Sequence, residues 1–205
     1  MEAPLTIFYT ARLQGDLDLA PRLFSFIRML KAQTEGSTLL LDMGESSDLR
    51  VWHCAITGGR SALFALDAMG YDAANADHLH PQNRAKTRTG MRLALIGTGE
   101  SVRLKGARVL VPPDISGANP ARLNILLISA GETLLESGTL SLEGVDAGQV
   151  GMAQIAFGAG GAELAAAGVY TLSPDTPPDP TIAGAVDFIL SEAHYLLKKA
   201  QEKRR

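Results

Sequence analysis

Six consecutive residues, Leu5-Thr6-Ile7-Phe8-Tyr9-Thr10, are apolar, β-branched or aromatic, and the chain then turns polar from Ala11 to Asp16. A short run bounded in this way predicts a buried strand. Leu19, Leu23, Phe24, Ile27 and Leu30 follow at helical spacing, with Asp16 or Asp18 as cap and Pro21 in the tolerated first turn. Arg22, Arg28 and Lys31 fall on the outward face of that helix. Residues 37–43 are apolar around Leu39-Leu40-Leu41 and flanked by Gly36 and Gly44, which predicts a second strand, parallel to the first. Gly58-Gly59 opens a helix through Ser61, Leu63, Phe64, Leu66 and Met69, and Gly70 stands where a left-handed C-cap belongs. A third strand begins at Tyr71 and runs to Ala74. Alternating strands and helices over this stretch imply a parallel sheet with right-handed crossovers.

After Gly90 the pattern changes to short apolar segments broken by Gly, Pro and Ser, and no helical period is visible. Strands are expected at 92–96, 102–104, 108–111, 123–129, 139–142, 149–157 and 169–172. Pro112-Pro113 and the stretch 173–180 read as loops. The second leads into a final helix capped by Asp179 with Pro180 at its first position. Its apolar stripe is Ile182, Val186, Ile189, Leu190, Ala193 and Leu197, and Lys198, Lys199, Lys203, Arg204 and Arg205 suit the negative end of its dipole. No internal repeat or linker divides the chain.

Composition narrows the function classes. At 205 residues, 46% hydrophobic and 20% charged, the chain can build a sizeable core and reads as one domain over 1–205. A net charge of −3 supplies no cationic field for nucleic acid. No basic, apolar leader opens the sequence, and no apolar run approaches the length of a membrane span, so no membrane association and a cytoplasmic location are expected. The single cysteine, Cys54, excludes an intrachain disulfide and a thiolate zinc cage.

In an open α/β sheet the ligand crevice lies at the carboxyl ends of the parallel strands. The loops there are Ala11-Arg12-Leu13-Gln14-Gly15-Asp16, Asp42-Met43-Gly44-Glu45-Ser46-Ser47-Asp48 and Asn75-Ala76-Asp77-His78-Leu79-His80. Three segments resemble the calcineurin-like metallophosphoesterases, especially their 5'-nucleotidase branch: Phe8-Tyr9-Thr10-Ala11-Arg12-Leu13-Gln14-Gly15, Leu39-Leu40-Leu41-Asp42-Met43-Gly44-Glu45, and Ala65-Leu66-Asp67-Ala68-Met69-Gly70-Tyr71-Asp72-Ala73. The last is similar to the helix end that precedes that family's Gly-Asn-His-Glu motif, and Asp77-His78-Leu79-His80 stands at the matching distance. Asn124 to Glu132 takes the place of the segment ending Gly-His-x-His. Gly148-Gln149-Val150-Gly151 and Pro177-Pro178-Asp179-Pro180 look like later segments, and a block is missing around residues 97–122. The resemblance implies an α/β fold, the metallophosphoesterase α/β/β/α sandwich in a shortened form.

What it implies for chemistry is altered at the ligand positions. The family holds two metal ions about 3.5–4 Å apart for phosphoester hydrolysis. The Asp and His of the first motif correspond to Arg12 and Gln14, the bridging Asp to Glu45, the Asn and His of the third motif to His78 and Leu79, and the last two histidines to Ala130 and Glu132. Arginine is never a ligand. A guanidinium about 4 Å from a metal pair costs roughly 4 kcal/mol per charge even at an effective dielectric of about 20. The expectation is a degenerate site without metal, in which Arg12 pairs with Glu45 or Asp42 and the chain acts as a binding or interaction module for an anionic small molecule or a protein. The candidate crevice is Arg12, Gln14, Asp42, Glu45, Asp77, His78 and His80, with Arg12 and Arg60 binding the anion. The alternative is a hydrolase of phosphate esters or nucleotides with Mn, Zn or Fe on Asp42, Glu45, Asp48, Asp77 and His80.

Other features have ordinary readings. Trp52 and Cys54 suit core packing. His53 and Cys54, taken as strand neighbours, point to opposite faces and so make a poor nucleophile pair. Gly58-Gly59-Arg60-Ser61 makes an anion cradle or a simple turn. Gly97-Thr98-Gly99 lacks the third glycine of a dinucleotide fingerprint, 158–161 reads as a hairpin loop, and the small residues of 162–168 permit close packing with a partner.

Overall fold

The computed structural model describes residues 3–79, 81–112 and 122–203. In the first strand, β1 (Leu5–Thr10), successive side chains enter different cores, as the pleat requires. Phe8 packs beneath a layer of helices, while Ile7 and Tyr9 pack against a second sheet. The unbroken apolar run is therefore explained by burial on both faces. β2 (Ser37–Asp42) lies parallel to β1 and repeats the arrangement, with Leu40 on the helix side and Leu39 and Leu41 between the sheets.

The helices α1 (Ala20–Lys31), α2 (Trp52–Thr57), α3 (Arg60–Ala68) and α5 (Pro180–Glu202) cover one face of this sheet, and α4 (Pro81–Arg88) packs beside β4 (Ala94–Ile96). The N-cap of α1 is Leu19, with no side-chain cap bond, so neither Asp16 nor Asp18 caps the helix as expected; Asp16 Oδ1 instead accepts from Leu19 N in the turn before it. Gly70 takes the left-handed conformation at φ 76°, as its position after α3 requires. Asp179 caps α5, accepting from the N–H groups of Thr181 and Ile182. The same carboxylate takes Arg28 Nη1 at 2.9 Å, and Arg22 donates to the carbonyls of Ser173, Pro174 and Thr176. The basic face of α1 thus fastens the loop that delivers α5.

The larger sheet has the order β11-β10-β1-β2-β3-β4, with β3 at Ala73–Asn75, β10 at Gln149–Gly158 and β11 at Gly161–Thr171. β1 to β3 are parallel, as the sequence predicts, β4 extends the parallel set, and β10 and β11 add an antiparallel hairpin. The second sheet has the order β5-β6-β7-β9-β8 over Ser101–Leu104, Ala107–Leu110, Asn124–Ala130, Thr139–Glu143 and Leu134–Glu136. β6 and β7 are parallel, so a crossover joins them. Most of that connection, residues 113–121, lies outside the described residues, as do Pro113 of the expected loop and Arg204 and Arg205 of the expected basic tail.

Several expectations are corrected. Residues 52–57 form a helix, and Trp52 is no core residue: it is 40% exposed and lies 4.2 Å from the His194 ring, on α5. α4 and β8 carry no readable period. β11 begins eight residues before its expected start at 169, because Ala and Gly are poor indicators of a strand. Cys54 is fully buried, as expected. No helix among the described residues is long and apolar enough to cross a membrane.

Tyr9 crosses the space between the sheets to reach Thr133 Oγ1 at 3.2 Å, and its ring lies flat on Gly151 of β10. A Cβ at Gly151 would stand 2.0 Å from Tyr9 Cζ. Gly151→Ala is therefore expected to lower stability by about 1–3 kcal/mol through overpacking, read as a lower urea midpoint. An unchanged midpoint would mean that Tyr9 swings aside freely.

Candidate functional site

The strand ends of the larger sheet position the crevice. Beyond β1 and β2 the backbones stay paired: Met43 N donates to Thr10 O at 2.8 Å, Arg12 N to Gly44 O at 2.9 Å, Gln14 N to Glu45 O at 3.0 Å and Gly15 N to Ser46 O at 2.8 Å. This extension forces three non-glycine residues into the left-handed region, Arg12 at φ 58°, Gln14 at 49° and Glu45 at 57°. The other two such residues, Lys105 and Ser137, precede glycines in hairpin turns, where that conformation is ordinary. Among the described residues, all three non-glycine residues with positive φ outside hairpins therefore line the same cavity.

That cavity has a volume of about 480 Å³. Of the expected residues, Arg12, Gln14, Glu45, Asp77 and His78 line it, as does Asp48. Met43, Gly44, Ser47 and Asn75 of the expected loops line it too, and Leu49, Arg50, Ile128 and Ser129, none of them an expected site residue, complete the lining. Arg60 lies outside it: its Nε donates to Thr57 O at 2.9 Å, so Gly58-Gly59-Arg60-Ser61 is a turn and helix start. His80 lies outside the described residues.

Arg12 pairs with Glu45, as expected, with Nε 3.8 Å from Oε2, but its hydrogen bond goes from Nη1 to Asp146 Oδ1 at 2.9 Å. Asp146 precedes β10 and is separated from Arg12 by 134 positions, so no local pattern could have announced it. The expected pairing of Arg12 with Asp42 does not form. Asp42 is fully buried on the helix side of β2, where Oδ1 accepts from Ser46 Oγ at 2.5 Å and Oδ2 has no partner. Loss of water raises its pKa to about 7 despite the hydrogen bonds from Ser46 and the Gly44 backbone.

The remaining carboxylates are already engaged. Asp48 accepts from the backbone N–H, Nε and Nη2 of Arg50, which hold it below the usual carboxylate range. Asp77 accepts from Thr98 N at 2.6 Å and Thr98 Oγ1 at 2.5 Å, so it ties down the turn that begins at Gly97. The buried Arg84 guanidinium lies against Gly97 and reaches Glu100 at 3.2 Å. His78 packs on Gly59, and loss of water there pushes its pKa down, against the pull of Asp77. Among the described residues no group of three or more His, Cys, Asp or Glu side chains is gathered to hold a metal ion.

Behind the first loop, His53 and Ser61 are joined through Nδ1 and Oγ at 2.8 Å, and His53 Nε2 donates to Gly15 O at 3.0 Å. Cys54 Sγ lies 3.6 Å from the same imidazole, so helix geometry, unlike the strand expected, brings the two side chains together. All three are buried, and they brace the loop that carries Arg12.

No protein-family model and no curated protein matches the chain at the level of sequence. Solved structures do match. The calcineurin-like phosphoesterase YfkN of Bacillus subtilis aligns at a TM-score of 0.62 with 11% identity, covering 96% of this chain and 99% of that one. Sulfate thiohydrolase SoxB of Thermus thermophilus gives 0.61 at 11% identity, over 92% of this chain and 60% of that one. The NAD nucleotidase NadN of Haemophilus influenzae gives 0.60 at 10% identity, over 99% and 60%. The chain therefore spans about 60% of the SoxB and NadN structures. The fold is that of the calcineurin-like phosphoesterases, two sheets flanked by helices, as the sequence resemblance implied.

Asp42 makes stability depend on pH. Its pKa is about 7 in the folded chain, against about 4 for an unfolded aspartate. The folded state therefore holds this proton more tightly, and the stabilisation, complete below about pH 4, is lost as pH rises through about 7. Asp42→Asn should flatten the fall in melting temperature between about pH 5 and about pH 8. Parallel profiles for the two proteins would show that Asp42 ionises normally.

Proposed function

We propose that this chain is a phosphoesterase-fold protein that lacks two-metal phosphoester hydrolysis and binds a small molecule bearing an anionic group in the crevice at the ends of β1, β2 and β3. The observation that carries the reading is the concentration of backbone strain on one cavity. Left-handed conformations at non-glycine residues cost of order 1–3 kcal/mol each and persist where surrounding structure enforces them, as at ligand sites. Arg12, Gln14 and Glu45 hold such conformations around the crevice and nowhere else outside hairpin turns among the described residues.

The charge arrangement supports binding without metal. Arg12 brings a permanent cation into the crevice, and Glu45 and Asp146 hold it there. Its remaining N–H groups form the planar donor set suited to a carboxylate or phosphate. Gln14 and Ser129 add uncharged polar groups to the lining. The hydrolase alternative draws its support from the phosphoesterase and nucleotidase structures that share the fold. Against it stand the burial of Asp42 and the engagement of Asp48 by Arg50 and of Asp77 by Thr98.

Calorimetric titration of Mn²⁺ into chelator-treated protein separates the two readings. Native protein is expected to show no saturable binding below about millimolar metal, because a guanidinium about 4 Å from a metal site costs roughly 4 kcal/mol per charge at an effective dielectric of about 20. Exchange of Arg12→Asp together with Gln14→His should create measurable affinity. Saturable binding by the native chain with defined stoichiometry would overturn the metal-free reading and make phosphate-ester hydrolysis the next assay.

A further inference from the structure

The crevice has five charged side chains in its lining, but their hydrogen-bonding capacity is unequally spent. Asp48 and Arg50 neutralise each other through three contacts. Asp77 is bound by Thr98 through both oxygens. Arg12 spends one of its five N–H donors on Asp146, and its Nε faces Glu45 beyond hydrogen-bond distance, at 3.8 Å. The Glu45 carboxylate is 65% exposed and has no hydrogen bond among the described residues. One guanidinium and one carboxylate, side by side on the same wall, are thus left with unfilled capacity.

A simple anion meets only half of this arrangement. Bound to Arg12 it would approach Glu45, and like charges about 4 Å apart oppose each other by roughly 4 kcal/mol at an effective dielectric of about 20. His78 adds no charge to offset this, since loss of water keeps its ring neutral at neutral pH. A ligand with an anionic and a cationic group on adjacent atoms satisfies both residues at once. Among its uncharged members the lining includes two exposed apolar side chains, Leu49 at 63% and Ile128 at 39% exposed, together with the buried Met43. An apolar substituent on the ligand would cover them.

We infer that the ligand of the crevice is a zwitterion of the α-amino-acid type with an apolar side chain, its carboxylate on Arg12 and its ammonium on Glu45. This rests on the reading of the crevice as a ligand site. Arg12 supplies the fork that orients the carboxylate. Glu45 rejects ligands whose amine is blocked, because its own charge would then be desolvated without a partner.

Calorimetric titrations with L-phenylalanine, N-acetyl-L-phenylalanine, 2-phenylethylamine and inorganic phosphate test it on the intact chain. L-Phenylalanine is expected to bind at least about tenfold more tightly than each of the other three, a difference of about 1.4 kcal/mol. Glu45→Gln should abolish its advantage over the N-acetyl form, with an unchanged far-ultraviolet circular dichroism spectrum showing that the fold survives. Binding of phosphate or N-acetyl-L-phenylalanine as tightly as the free amino acid would refute the zwitterion and leave an anion site in place. Absence of binding by all four would refute both.

Discussion

The backbone ladder that joins the loops after β1 and β2 is the constraint on which the crevice depends. Four hydrogen bonds carry the parallel pairing past the ends of the strands, from Thr10 and Met43 to Gly15 and Ser46. Because the ladder is made of main-chain groups, it sets the position of Arg12, Gln14 and Glu45 whatever their side chains are. It also demands φ values that most residues avoid, so packing elsewhere must hold the loops in place. The buried His53 and Ser61 do this from the helix side through Gly15 O. Asp42 holds the second loop through Ser46.

Two cores support that arrangement. The helix-side core contains Phe8, Leu40, Leu63, Leu66 and Ile182, and the inter-sheet core contains Tyr9, Leu41, Val109, Ile125 and Leu142. Each parallel strand of the larger sheet contributes to both, and the loops beyond β1, β2 and β3 line one shared hollow. Charge is handled locally at this rim. Arg12 with Asp146, Arg50 with Asp48, and Arg84 with Glu100 are oppositely charged neighbours drawn from distant parts of the chain or from the same turn.

Much of the architecture is legible in the sequence, for identifiable reasons. β1 and β2 are continuous apolar runs because both faces are buried, and α5 shows its period because one face alone is buried. α2 is too short to display a period, and its opening Trp52 and His53 suit a strand as well as a helix. β11 is hidden by its alanines and glycines. For the site, the location followed from the rule that loops at strand ends gather, and Arg12, Gln14, Glu45, Asp77 and His78 do gather. What sequence could not supply was the partner of each charge. Asp146 meets Arg12, and Thr98 meets Asp77, through tertiary pairing with no local pattern. Burial likewise separates Asp42 from Glu45, although three positions apart they look alike on paper.

The dependence of the rim on main-chain bonding has a consequence for substitution. Exchanges at Arg12, Gln14 or Glu45 leave the ladder and both cores untouched, since these side chains project into the hollow. Exchanges there among residues that tolerate the left-handed backbone cost little stability, whereas exchanges at Tyr9 or Gly151 cost much more. The shape of the hollow is therefore set separately from its chemistry, and architecture alone is what this chain shares with NadN at 10% identity.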